Sequence, residues 1–198
     1  MGDRSKSSRN VTDADIIDAF RRGDRRAAGL VYDQLVGVVD STLYRIVGRR
    51  ESDHDDLVQS AFEQIIVTLS RQSFAGGCSL TGWAASIACH VGLNAIRSRV
   101  RARRVFSRDA SAAEHYEQRA APDDVEATVM ARREVERLRE ALGAMDSDRA
   151  TTVLVHDVVG LSLAETARLT GVSVAAAQSR LVRGRRELKE RLSEETAP

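Results

Sequence analysis

The chain has 198 residues, 30% of them charged, yet its formal net charge is only +1. That length holds one domain or two small ones, and no apolar run approaches the roughly 20 residues of a membrane span. Two cysteines, Cys78 and Cys89, make no disulfide framework, and the polar start "MGDRSKSSRN" has no apolar signal core, so a reducing, cytoplasmic location is expected, without membrane insertion.

The near-zero net charge hides a segregation. Arginines cluster at 97–108 and again at 180–191, while the stretch from Asp109 to Glu126 is mostly acidic. Separated basic blocks suggest an anionic partner. Only Pro122 and Pro198 break a sequence dominated by Ala, Leu, Arg and Glu. Helix propensity is therefore high nearly everywhere, and the expected class is all-α.

In chain order, residues 1–11 read as a short disordered tail. A first helix is predicted after Thr12, with Asp13 and Asp15 in its first turn, ending near Gly23. A second runs from about Arg25 to Val47, offering Leu30, Leu35, Val38, Val39, Leu43 and Ile46 to a core. A third starts after Ser52 or Asp53, with Val58, Ala61, Phe62, Ile65 and Leu69 in one apolar stripe. Gly76-Gly77 breaks the pattern. A fourth helix, from about Leu80 to Arg103, carries Leu80, Trp83, Ile87 and Val91 on one face. From 105 to 128 the composition reads as a flexible linker, followed by a second helical domain over 129–194.

That second domain contains "LSLAETARLTG". Ser162 and Glu165 fit a capping box, and Gly171 fits a left-handed helix end. Ser173 can cap the next helix. The pattern is helix, tight turn, helix, with Ala167, Gly171 and Ala177 at the positions that need small or turn residues. On a wheel, Val174, Ala177, Leu181, Gly184, Leu188 and Leu192 face inward. Ala175, Ala176, Ser179, Arg183 and Arg186 face outward, flanked by Gln178 and Val182. Small residues first and arginines behind suit a helix entering a major groove. An arginine-rich face alone also describes a solvated helix; the capped helix and turn before it favour DNA.

"DDLVQSAF" followed by "FAGGCSLTGWAASIACHVGLNAIRSRVRARR" resembles region 2 of bacterial RNA polymerase sigma factors of the extracytoplasmic-function group. The tract from Arg133 to Leu192 resembles their region 4. The resemblance covers roughly residues 12–192 and places region 2 at 12–104 and region 4 at 129–194. It implies a non-enzymatic polymerase subunit without cofactors that recognises −35 and −10 promoter elements and helps melt DNA. The core polymerase, through its β′ and β subunits, promoter DNA and a separate anti-sigma factor are the implied partners. Asp55, Asp56, Leu57, Gln59 and Phe62 would dock on the β′ coiled coil. The loop Phe74 to Thr81, including Gly76, Gly77 and Ser79, would capture a flipped −10 base, with Trp83, Asn94, Arg97 and Arg101 facing the promoter. Ala175, Ala176, Gln178, Ser179, Val182, Arg183 and Arg186 would read or hold the −35 element.

The chain departs from that pattern in three places. Gly76, Gly77 and Cys78 stand where a basic or polar residue often follows the loop phenylalanine. Ala88, Cys89 and His90 replace a frequent Ala-Arg-Asn. Gln178 stands where lysine or arginine is common, and glutamine can pair bidentately with adenine. Cys78, Cys89, His90 and His54 match no zinc spacing, so no metal is expected. The rival reading is a stand-alone helix-turn-helix regulator, which would lack the "DDLVQ" helix. A nucleic-acid enzyme lacks support, since neither a P-loop nor a carboxylate cluster occurs.

Overall fold

The computed structural model describes residues 12–48, 53–74, 76–109 and 125–194. The secondary structure of these residues is helical. A first unit comprises α1 (Asp13–Arg21), α2 (Ala27–Val47), α3 (His54–Ser70) and α4 (Leu80–Asp109). A second comprises α5 (Val125–Ala144), α6 (Ser147–Val153), a π turn (Leu154–Val158), α7 (Leu163–Thr170) and α8 (Val174–Glu194).

Local chemistry sets the helix ends. Thr12 Oγ1 accepts from the Asp15 amide at 3.3 Å, while the Asp15 carboxylate accepts from the Thr12 amide at 2.9 Å. This reciprocal cap satisfies two amides that the first turn leaves without partners. At the far end of α2, Gly48 adopts φ 83° and its amide donates to Tyr44 O, a left-handed stop that strains any residue with a Cβ. α4 runs past the expected end at Arg103 as far as Asp109, and α5 begins at Val125 rather than 129. Arg104 and Arg108 in the one extension and Glu126 and Ala127 in the other are good helix formers that carry the weaker residues between them. The remainder of the expected linker, 110–124, and the expected tail, 1–11, lie outside the described residues.

The apolar stripes of α1 to α4 meet in one cluster. Ile16, Leu35, Leu43, Ile65 and Leu80 are fully buried there, whereas Leu30, Val38 and Val58 only flank it. A second cluster is common to both units. Ile46 and Val47 at the end of α2, with Cys89, Leu93 and Ile96 of α4, pack against Leu142, Met145, Ala150, Leu154 and Val155 of the second unit. The periodicity of each segment predicts two separate cores. The structure instead draws the second unit onto the far end of α2 and α4, where apolar side chains beyond the first core would otherwise face water.

The π turn closes the α6 segment. The Val159 amide donates to Leu154 O at 3.1 Å, five residues back, and the Leu161 amide reaches Val155 O at 3.3 Å. No helix among the described residues is long and apolar enough to cross a membrane.

Leu93, 1% exposed in the common cluster, should cost about 2–5 kcal/mol of unfolding free energy when truncated to alanine. Val67, 46% exposed on α3, should change by no more than about 0.5 kcal/mol on the same truncation. Urea titrations of Leu93→Ala and Val67→Ala check the contrast.

Candidate nucleic-acid interface

The helix-turn-helix forms as its sequence predicts. Ser162 and Glu165 make the reciprocal cap of α7, at 3.3 Å to the Glu165 amide and 3.0 Å from the Ser162 amide. Gly171 takes φ 67°. The Ala176 amide donates to Ser173 Oγ at 3.2 Å and starts α8. Ala167 and Ala177 are buried at the crossing of the two helices. At Gly184 a Cβ would lie 2.8 Å from Val153 Cγ2, so glycine is what lets α8 approach α6.

The inner and outer faces of α8 separate cleanly, with one correction. Ala177, Leu181 and Gly184 are buried, and Leu188 and Leu192 are half-buried. Val174, expected to face inward, is 49% exposed; it sits in the first turn, ahead of the point where α8 meets its neighbours. Ala175, Gln178, Ser179, Val182, Arg183 and Arg186 are exposed, and Ala176 is half-buried.

The arginines of α8 divide by partner. Arg185 grips Asp157 of the π turn through Nε at 3.0 Å and Nη2 at 2.6 Å. That hydrogen bonding, aided by His156, holds the Asp157 carboxyl below the usual carboxylate range. Arg180 pairs with Asp148 at 2.7 Å. Both guanidiniums brace the unit internally. Arg186 has only a loose contact to Glu190 at 3.8 Å, and Arg183 makes no salt bridge among the described residues. These two remain available for phosphates.

The glycine loop between α3 and α4 is tied down at both ends. Asp13 accepts from the Leu80 amide at 2.7 Å and from Gln34 Nε2 at 3.1 Å. Phe74 packs on Trp83 with ring centroids 4.9 Å apart, tilted by 49°, and both rings are half-buried. An aromatic pair at a loop mouth is a platform on which a base can stack. Gly76 has φ 67° and is exposed. Ser79, expected to touch DNA, accepts from the Gly82 amide at 3.1 Å and so caps α4.

Farther along α4 the predicted residues part company. Asn94 is exposed and lines a groove of about 420 Å³ between α3 and α4. Arg101 is exposed. Arg97 turns away from solvent and donates to Gly143 O at 3.3 Å, Met145 O at 2.9 Å and Ser147 Oγ at 3.0 Å. Its expected promoter-facing position is thus occupied by the second unit. No feature of a single helix reveals that neighbour.

On α3, Asp55, Asp56 and Gln59 are exposed and Leu57 is half-buried. Phe62 departs from the expected surface role: it is 8% exposed and belongs to the first core. It supports Tyr32, which stacks on it at 4.9 Å and is 49% exposed. Tyr32 is the surface residue that periodicity misses, because it lies on the polar side of α2 and gains its place from a neighbour on α3. Cys89 is fully buried and its thiol is pushed up to about 12 by burial. Among the described residues there is no group of three or more His, Cys, Asp or Glu that could hold a metal.

Comparison with known proteins gives two family matches in the same chain. Residues 31–104 match Sigma-70 region 2 and residues 135–188 match Sigma-70 region 4. The RNA polymerase sigma factor CnrH of Cupriavidus metallidurans is 31% identical over 190 residues, covering 90% of this chain and 94% of that one. The ECF RNA polymerase sigma-E factor of Haemophilus influenzae is 26% identical over 187 residues, covering 92% and 96%. The fold is similar to the structure of CnrH in complex with the cytosolic domain of CnrY, with a TM-score of 0.53, 23% identity and coverage of 93% and 99%.

The Asp157–Arg185 brace carries a pH signature. A depressed carboxylate stabilises the fold above its unfolded pKa, and the contribution disappears as pH falls through the folded value. Asp157→Asn should therefore melt at a lower temperature than the parent at pH 7, and the gap should close below about pH 4. Thermal melts across that range check it.

Proposed function

The chain belongs to the extracytoplasmic-function type of RNA polymerase sigma factors, with a region 2 and a region 4, and from that premise we propose how its surfaces divide the work of promoter-specific initiation. Sigma factors bind RNA polymerase and are not enzymes; the chemistry is the polymerase's. What remains is to assign the contacts.

The exposed face of α3 serves the core polymerase. Asp55, Asp56 and Gln59 present acceptors and an amide beside half-buried Leu57, and Tyr32 adds an amphipathic ring of the kind enriched at interfaces. This face docks on the β′ subunit, while region 4 contacts β. Phe62 acts from beneath by holding Tyr32.

The 74–81 loop captures a −10 base. Extruding a base costs a few kcal/mol. The Phe74–Trp83 pair offers stacking to offset that, and Gly76 lets backbone approach closely. Asn94 and Arg101 follow the melted strand along α4. The outer face of α8 reads the −35 element: Ala175, Ala176 and Ser179 allow close approach, Gln178 and Val182 meet base edges, and Arg183 and Arg186 meet phosphates. The observation that carries this reading is the partition on α8, where Arg180 and Arg185 are engaged internally and Arg183 and Arg186 point outward.

The chain acts in the cytoplasm. A separate anti-sigma factor fits as its regulator, since the structure of CnrH, a relative with a similar fold, was solved with the cytosolic domain of CnrY. A stand-alone regulator is not favoured, because the α3 face then has no use.

Run-off transcription with core polymerase and a promoter-fragment library tests the whole reading; no transcript from any fragment overturns it. Gln178→Ala should relax preference at one or two −35 positions by about 1–3 kcal/mol, measured with single-base variants. Arg186→Ala should weaken binding evenly across sequences and reduce the salt slope by about one. Asp55→Ala with Asp56→Ala should weaken association with core polymerase while leaving the circular dichroism unchanged.

A further inference from the structure

The turn between α1 and α2 reads Arg21-Arg22-Gly23-Asp24-Arg25-Arg26, four arginines in six residues, all of them exposed. Its backbone is fixed. Gly23 takes φ 67°, its amide donates to Phe20 O at 3.0 Å, and the Asp24 amide donates to Ala19 O at 2.9 Å; these are the two bonds of a Schellman stop. Phe20 packs against the first core. Arg21 has an exposed partner, Asp18, at 3.2 Å, and such pairs contribute little. Arg22, Arg25 and Arg26 make no ion pair among the described residues. The helix dipole favours Arg21 and Arg22, which close α1, but disfavours Arg25 and Arg26, which open α2. The first turn of α2 has no acidic residue, and the Arg26 side chain caps nothing. Asp24 gives local relief by accepting from the Arg26 amide at 2.9 Å. Local stability does not account for two cations at the positive end of a helix; an external anion does.

Packing brings this turn to the end of the first unit that carries the glycine loop. α3 runs antiparallel to α2, since His54 meets Asp40 at 2.8 Å and the ring of Phe62 meets that of Tyr32 at 4.9 Å. At 1.5 Å per residue, α3 therefore finishes about level with Arg26. There it presents Arg71, which is exposed and makes no ion pair among the described residues. Asp13, bonded to Gln34 and to the Leu80 amide, sets the start of α4 about 12 Å along α2 from Arg26. From Phe74 to Trp83 the sequence has no charged residue. A strand whose base stacks on that aromatic pair finds no cation within the loop. The guanidiniums at the same end of the bundle supply it, and their planar forks match phosphate oxygens. A stacked strand advances about 3.4 Å per nucleotide, so about three or four nucleotides bridge loop and turn.

We propose that Arg22, Arg25, Arg26 and Arg71 form a phosphate-binding site for single-stranded DNA, continuous with the Phe74–Trp83 platform. The site rests on assigning the loop to a melted promoter base and extends that assignment. The strand leaves the loop past Asn94 and Arg101 of α4 in one direction and over the arginine turn in the other. Base identity plays no part at the turn, because guanidiniums on phosphates position a strand without reading it. The Schellman stop holds the roots of these side chains in place, so less freedom is lost on binding than from a mobile tail.

The test uses the full chain. Arg25→Gln with Arg26→Gln removes two cations from the start of α2. Arg132→Gln with Arg133→Gln, two exposed positions on α5, controls for lost positive charge. Binding of a labelled mixed-sequence single strand of about 12 nucleotides, a length within the usual site size, is followed by anisotropy across a salt series. The turn variant should bind about tenfold more weakly at low salt and lose about 1.4 from the salt slope. Its melting temperature should equal or exceed the parent's, because the dipole opposed the cations removed. The control should keep the parent's affinity and slope. An equal loss in the control, an unchanged slope in the turn variant, or a parent that does not bind the strand would each overturn the proposal. So would parental strand binding with weakened association to core polymerase, which marks the turn as a protein contact. Should the turn variant melt below the parent, Arg22→Gln with Arg71→Gln decides on the same readouts. Run-off transcription with the parent separates the two readings: its failure removes the promoter assignment, whereas the phosphate site stands or falls on the salt series.

Discussion

Arg97 reaches from α4 to the carbonyls at the end of α5, and much of the architecture follows from that reach. The last carbonyls of any helix lack intrahelical partners. Here a guanidinium from another helix satisfies two of them and a hydroxyl beyond. Arg139 does the same in the opposite direction, from α5 to the end of α2. Each unit completes a helix end of the other. Around these polar links lie Leu93 and Ile96 on one side and Leu142 and Leu154 on the other, so the seam combines directional bonds with apolar burial.

The same residue type does opposite jobs in this protein, and the neighbours decide which. Arg185 and Arg180 close onto Asp157 and Asp148 and brace the helix-turn-helix from inside. Arg183 and Arg186, exposed on the same helix, have no bidentate carboxylate partner among the described residues. A guanidinium fixed by a bidentate carboxylate would have to exchange that partner for a phosphate. One left in solvent has only counterions to release. Composition counts these arginines together; geometry separates them.

Much of this was legible in the residues. Thr12, Ser162, Gly171 and Ser173 act at the helix ends their chemistry favours, and the inward face of α8 holds from Ala177 onward. These are local matters, settled within a turn or two. What periodicity could not supply was depth and company. It put Val174 in a core, because it gives direction around a helix and says nothing of where neighbouring helices begin; Phe62 it placed correctly in the apolar stripe of α3, and only the family resemblance assigned that ring to a surface. The resemblance gave Ser79 to a ligand, although the amide of Gly82 lay three residues away. The resemblance left Arg97 facing DNA, and nothing in the sequence corrected it, because the carbonyls it meets are 46 and more residues distant in the chain. Tyr32 went unnoticed for the same reason.

The π turn at Leu154–Val158 has a geometric corollary. A bond five residues back accommodates one more residue than an α turn does, which shifts everything downstream by about 100° around the helix axis. Asp157 lies within that segment and meets Arg185 from it, and the chain leaving toward α7 inherits the offset. Removing one residue of this stretch would favour ordinary winding and rotate α7 and α8 relative to α6. The segment is therefore sensitive to length in a way that its unremarkable amino acids, Leu-Val-His-Asp-Val, do not advertise.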